Sequence, residues 1–220
     1  MIKKLALGAF SLLTLVSLVA CGKSPDVTAN AKGNKIGEDT IKIGVNMELS
    51  GAVAAYGKAE YNGIKLAVKE INAKGGVDGK KIELVAKDNK SETAESSTTA
   101  TNLAVQSQVA TIIGPATSGA TAASSLVSQK TGVPLLTPSG TQDDLTINTD
   151  GSTKDYVFRT TFKDSFQGQV LAQFASENMK AKKVVLYYDN SSDYAQGIAA
   201  EFKRKYKGEI VAESTFIAGD

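Results

Sequence analysis

From residue 41 onward the chain repeats one pattern: a short β-rich run, an apolar stripe at helical spacing, then a glycine or proline break. Residues 41–45 (IKIGV) read as a strand, and Ile64, Ala67, Val68 and Ile71 mark a helix closed by Gly75 and Gly76. Residues 81–85 (KIELV) alternate as a second strand, and a helix of small residues is expected over 93–106. A third strand at 109–113 (VATII) ends at Gly114-Pro115, a helix is expected over 118–129, and 133–136 (VPLL) makes a short fourth strand. Strands that alternate with helices need crossover connections, which produce a parallel sheet covered by helices on both faces.

A polar stretch at 146–155 (TINTDGSTKD) separates this unit from a second one. Residues 157–162 (VFRTTF) read as a strand. Asp164 is expected to N-cap the next helix, with Gln167 near a capping-box position and Phe166, Val170, Phe174 and Ala175 on its apolar face. A buried strand at 184–188 (VVLYY), a helix marked by Ala195, Ile198, Ala199, Phe202 and Tyr206, and a strand at 209–212 (EIVA) complete the pattern. Two helices and two clear strands make a poor independent core. The expected fold class is therefore α/β, with two doubly wound parallel-sheet lobes. Lobe 1 is expected over 41–160 and the start of an incomplete lobe 2 over 161–220, which reads as the N-terminal part of a longer protein.

The first forty residues are of another kind. Lys3 and Lys4 precede sixteen uncharged residues and then Cys21. Sixteen residues rise about 24 Å as a helix, short of the roughly 30 Å hydrocarbon core, so a secretory signal is expected rather than a span. Residues 22–40 hold almost no large apolar side chains and suit a flexible tether spanning roughly 25 Å. The formal charge of +2 falls to zero without residues 1–20, whose only charged side chains are Lys3 and Lys4. No basic patch for nucleic acid or anionic lipid results from it.

The chain has no His and one Cys. That excludes Ser-His and Cys-His nucleophile pairs, His-ligated metals and an internal disulfide. Neither G-x-G-x-x-G after the first strand nor a P-loop occurs, so nucleotide chemistry is not expected. No cofactor or metal is implied, and an enzyme is not the expected function. Asp143 and Asp144 read as solvated turn residues, and Asp88 as a carboxylate that could border a cleft.

In an open parallel sheet, ligands bind beyond the carboxyl ends of the strands. Three segments lie there: 50–57 (SGAVAAYG), 114–121 (GPATSGAT) and 137–141 (TPSGT). Ser118 opens a helix, where its hydroxyl and the free first-turn amides suit a carboxylate or phosphate; equally, Ser118 could simply cap its own helix. Gly140 and Thr141 suit either a turn or a polar contact, and Tyr56 and Tyr194 either packing or a binding wall.

Residues 18–21 (LVAC) resemble a bacterial lipobox, which implies cleavage before Cys21 and acylation of its thiol. The globular part is similar to the branched-chain amino acid (Leu/Ile/Val) binding proteins of ATP-binding-cassette importers, with the type I periplasmic-binding-protein fold. EINAKGGVDGKKI at 70–82 is the most specific match, supported by LSG at 49–51, YG at 56–57, IIGP at 112–115, PSGT at 138–141, DSFQG at 164–168 and DYAQG at 193–197. The resemblance implies that Ser118 holds a ligand α-carboxylate, with the Gly140 carbonyl and Thr141 near the α-ammonium. Tyr56 would be an aromatic wall and Tyr194 a contribution from the second lobe. It further implies a lipid-anchored extracytoplasmic receptor of Gram-positive type that passes an amino acid to membrane permease subunits. An amide, urea, another amino acid, or a sensing role stands as an alternative, and a surface enzyme as a remote one. The family's second-lobe acid that pairs with the α-ammonium has no counterpart before Asp220.

Overall fold

The computed structural model describes residues 32–218. The expected signal segment and Cys21 lie outside the described residues. Among those residues no helix is long and apolar enough to cross a membrane.

Five parallel strands form the first sheet: β1 (Thr40–Met47), β2 (Lys81–Asp88), β3 (Thr111–Ile113), β4 (Leu135–Thr137) and β5 (Val157–Arg159). Their spatial order is β2-β1-β3-β4-β5. The crossovers are α1 (Ala54–Ala73), α2 (Thr93–Thr101) with a wide π-type turn over Asn102–Gln106, and α3 (Ser118–Thr131). The strand expected over 157–162 ends at Arg159, and β5 belongs to this first sheet rather than to the second.

Alternation along β1 shows why both faces are covered. Val45 and Met47 are fully buried in one cluster, with Ile64 and Tyr61 of α1 packed against it. On the opposite face, Leu103, Val109, Ile112, Leu135 and Val157 pack into a second cluster. There α2 and α3 approach through Ser, Thr and Ala: Ser96 Oγ lies 2.8 Å from Ser124 Oγ, and the Asn46 amide donates to Ser124 Oγ at 3.1 Å. Small side chains let the helices close, and the buried polar groups of Asn46, Ser96 and Ser124 satisfy one another.

The second sheet holds β6 (Lys183–Asp189) and β7 (Glu209–Phe216), parallel, with α4 (Asp164–Gln173) and α5 (Asp193–Lys205). Ala172, Ala175 and Tyr206 form its buried cluster, joined by Val184, Phe202 and Ile210.

Several expectations are corrected in this part. Phe166, Val170 and Phe174, expected on the packed face of α4, are exposed; the helix buries Asp164, Gly168 and Ala172 instead. Glycine and alanine at 168 and 172 permit the closest approach to α5, and a β-carbon at Gly168 would sit 2.7 Å from Glu201 Cβ. The strand at 184–188 is buried on one face only, since Val185 and Tyr187 are exposed. Residues 33–37, expected in a free tether, are docked: the Asn34 amide donates to the carbonyls of Ala104 and Val109 at 2.7 and 2.9 Å.

Candidate ligand-binding site

Strand order reverses at β1, because β2 lies on one side of it and β3 on the other. The loops leaving β1 and β3 therefore diverge and open a crevice at the carboxyl edge. Residues 48–53 and 114–117 connect β1 to α1 and β3 to α3 at that edge. Gly57 holds α1 against this edge: a β-carbon there would fall 2.2 Å from the Glu48 carbonyl oxygen.

Glu48 is fully buried and organises the β3–α3 loop. Its carboxylate accepts from the amides of Ala116 and Thr117 at 3.0 and 3.1 Å, and from the Thr117 hydroxyl at 2.9 Å. Thr117, not Ser118, occupies the N-cap position, and Ser118 is the first helical residue. The Ser118 hydroxyl instead accepts from the amides of Thr141 and Gln142, both at 3.3 Å. Its own hydrogen is thereby left to donate, beside first-turn amides that have no intrahelical acceptor. Such a cluster suits a carboxylate.

The loop carrying Gly140 and Thr141 is held from below by Arg159 at the end of β5. Its guanidinium donates to the carbonyls of Thr141, Gln142 and Asp143 at 3.2, 2.8 and 2.9 Å. Asp143, expected to be solvated, accepts from the Ser165 amide at 2.9 Å and the Ser165 hydroxyl at 2.5 Å. It thus ties this loop to the first turn of α4 and supplies the capping that Asp164 was expected to give. Asp164 lies inside the helix as its first residue, after Lys163 at the N-cap, and is 1% exposed. Burial pushes its pKa above the ordinary value; the Thr141 hydroxyl opposes this, the Asp143 charge adds to it, and Arg159 again opposes.

Tyr194 stands on the first turn of α5, half-exposed, and its hydroxyl accepts from Gln167 Nε2 at 3.0 Å. The starts of α3 and α5 face each other: a β-carbon at Gly119 would lie 2.8 Å from Asp193 Oδ2. Ser118 and Thr141 are thus joined by a hydrogen bond, Gly140 precedes Thr141 on the same loop, and Tyr194 follows Asp193 on the first turn of α5. Tyr56 stands at the crevice mouth, 69% exposed on the first turn of α1. Glu60, further along α1, has one carboxylate oxygen 2.5 Å from the Ser139 hydroxyl and the other buried without a partner. Burial raises its pKa, the Ser139 bond works against this, and the Glu48 charge adds to it. Asp88 does not serve the crevice: it accepts from the amides of Leu49, Ser50 and Lys90 and so fixes the β1–α1 turn. Among the described residues no group of three or more His, Cys, Asp or Glu side chains could hold a metal ion.

The periplasmic binding protein family profile matches residues 40–219. This chain belongs to that family. It is 38% identical over 163 residues to the Leu/Ile/Val-binding protein BraC3 of Rhizobium johnstonii, covering 74% of this chain and 43% of that protein. The branched-chain amino acid transporter substrate-binding protein LivJ of Streptococcus pneumoniae, solved in complex with isoleucine, shares 60% identity at a TM-score of 0.78, over 83% of this chain and 51% of its own. The leucine-binding protein LivK of Thermotoga maritima gives 31% identity and a TM-score of 0.74, over 82% of this chain and 50% of its own. The chain spans about half the length of the relatives it matches. The α/β fold with parallel sheets is theirs too.

Sequence reasoning passed over Glu48, Arg159, the Asp143–Ser165 tie and the burial of Asp164. One signal pointed to Arg159: it is one of only two arginines among 25 basic residues, and it ends a strand.

Proposed function

We propose that this chain is the ligand-capturing part of an extracellular solute-binding receptor of an ATP-binding-cassette importer, and that its ligand is a branched-chain amino acid. Residues 41–160 and the segment from 161 onward act as two lobes, and the ligand is held between the starts of α3 and α5. The observation that carries this reading is the 60% identity to a protein whose structure holds isoleucine. The geometry supports it chemically. Ser118 and the first amides of α3 receive the carboxylate, while Gly140 and Thr141 lie opposite on the loop that Ser118 itself orders. Tyr56 and Tyr194 supply aromatic walls. Hinge closure then buries the ligand and presents the closed form to permease subunits. Acylation of Cys21 would keep the receptor at the outer face of a Gram-positive-type membrane, since two acyl chains suffice for stable anchoring.

Calorimetric titration of the full-length protein with leucine, isoleucine and valine tests the reading. Saturable binding of at least one is expected, and Ser118→Ala is expected to weaken it about tenfold or more through loss of a charge-assisted hydrogen bond. Heat from none of the three would overturn the assignment.

A further inference from the structure

Two short segments of the second unit carry lysines at the same spacing. Residues 180–182 (KAK) lead from the π-type turn Phe174–Asn178, which extends α4, into β6, and residues 205–207 (KYK) lead from the end of α5 toward β7. The middle residues join the two. Tyr206 is buried and its hydroxyl donates to the Ala181 carbonyl at 2.8 Å, while the Glu209 amide donates to the Lys182 carbonyl at 2.8 Å. Gly208 permits this approach, since a β-carbon there would stand 2.7 Å from the Lys182 carbonyl oxygen. The flanking residues Lys180, Lys182, Lys205 and Lys207 all border one cavity of 830 Å³ at the amino edge of the second sheet.

These four charges are not spent within the fold. Among the described residues, the ion pairs engage Lys90, Lys183, Lys203 and Arg204 and none of the four. Glu177, the acid that shares the cavity wall, accepts from Gln173 Nε2 at 3.0 Å. Lysines often gather past helix ends because they complement the last carbonyls. Here backbone amides already meet those carbonyls: Met179 donates to Phe174, Ala181 to Ala175 and Tyr206 to Phe202, at 3.0, 2.9 and 2.8 Å. Four ammonium groups against one carboxylate leave the wall strongly cationic, and a bound anion would relieve their mutual repulsion.

We propose that this cavity binds an anion with paired phosphoryl groups, one to each lysine pair. An ammonium is a point charge with three rotatable donors, which suits phosphate oxygens without requiring a planar fork. The volume lies within the roughly 300–1,000 Å³ of small-molecule sites. A soluble diphosphate and the two-phosphate headgroup of a diphosphatidyl lipid offer the same chemistry. The site is separate from the amino-acid crevice, because it lies at the far end of α5 from Tyr194, a helix of 13 residues and about 20 Å.

The test titrates unacylated full-length protein with inorganic pyrophosphate by calorimetry and, in parallel, sediments it with vesicles of cardiolipin in phosphatidylcholine, with phosphatidylcholine alone as the control. Binding of at least one probe is expected, weakened about tenfold or more in Lys182→Gln/Lys207→Gln and kept within about threefold in Lys182→Arg/Lys207→Arg. Pyrophosphate binding identifies a soluble source, and capture by cardiolipin vesicles alone identifies the headgroup. Lys182 and Lys207 are exposed and Gln keeps most of the stem, so the unfolding temperature and the isoleucine affinity of the Gln variant are expected to match wild type. Failure of both probes to bind would overturn the proposal, as would undiminished binding by the Gln variant. A parallel loss of isoleucine affinity in that variant would assign the lysines to support of the fold and overturn it as well.

Discussion

Replacing Arg159 with Met removes the fork beneath the candidate site while keeping much of the side chain's apolar length. The guanidinium makes two short bonds, to the Gln142 and Asp143 carbonyls at 2.8 and 2.9 Å, and a longer one to Thr141 at 3.2 Å. Hydrogen bonds to a charged group contribute roughly 1.5–3 kcal/mol each. Arg159 is half-buried, so water recovers part of the loss, and the low end of that range applies to the two short bonds. The expected destabilisation is about 3 kcal/mol, or a midpoint lowered by about 6–12 °C for a unit of this size. Ligand affinity should fall as well, by about tenfold, because the loop carrying Gly140 and Thr141 loses its lower support. Thermal and urea unfolding followed by circular dichroism, together with isoleucine titration, read both effects. Arg159→Lys keeps the charge but offers a single ammonium in place of a planar fork, and should recover no more than about a third of the stability. A loss under about 1 kcal/mol with unchanged affinity, or complete rescue by lysine, would refute the argument that the fork orders the loop.

Three further outcomes are expected. Glu48→Gln places an amide NH₂ against the donors of Ala116 or Thr117 and should cost about 3 kcal/mol, with weaker ligand binding as the start of α3 shifts; denaturant unfolding measures the first and calorimetry the second. At Asp88, burial alone would raise the pKa, but the Ser50 hydroxyl and the Lys90, Ser50 and Leu49 amides outweigh it and hold it below 3.8. A depressed carboxylate stabilises the fold above its unfolded pKa, and that stability is lost as pH falls through the folded value. Asp88→Asn should therefore flatten the acid limb of the stability profile. Glu60, with its pKa raised above 4.5, has the opposite sign: its contribution is present at low pH and lost as pH rises through the raised value, so Glu60→Gln should flatten that limb.

The sheet and its crossovers were legible because each rests on local pattern. Residues 41–45 and 81–85 carry the strand signal themselves, and the helix starting at Ser118 is announced by the Gly114-Pro115 break. Ser118 and Thr141 were legible as a pair only through the rule that ligands gather at the carboxyl edge of a parallel sheet. The interactions that organise that edge were not. Glu48 reaches 68 residues along the chain to Ala116, and Asp143 reaches Ser165 across the end of β5. No local spacing encodes such contacts. Asp164 shows the limit most clearly, since an acid before a helical run reads as a cap. Here Asp143 supplies the capping carboxylate, and Asp164 is driven inward. Phe166 and Phe174 misled for a related reason: hydrophobicity marks a face that can be buried, but the close contact of α4 with α5 is set by Gly168 and Ala172.

The central claim is that a zwitterion lies between the facing starts of α3 and α5, with its carboxylate at Ser118 and its ammonium toward Gly140 and Thr141. A crystal structure of the full-length protein grown with isoleucine tests it most directly. The account predicts the ligand carboxylate within hydrogen-bond distance of Ser118 Oγ and the first α3 amides, and the ammonium within that distance of the Gly140 carbonyl or Thr141. Isoleucine seated elsewhere, or in this gap with its ends reversed, would contradict it.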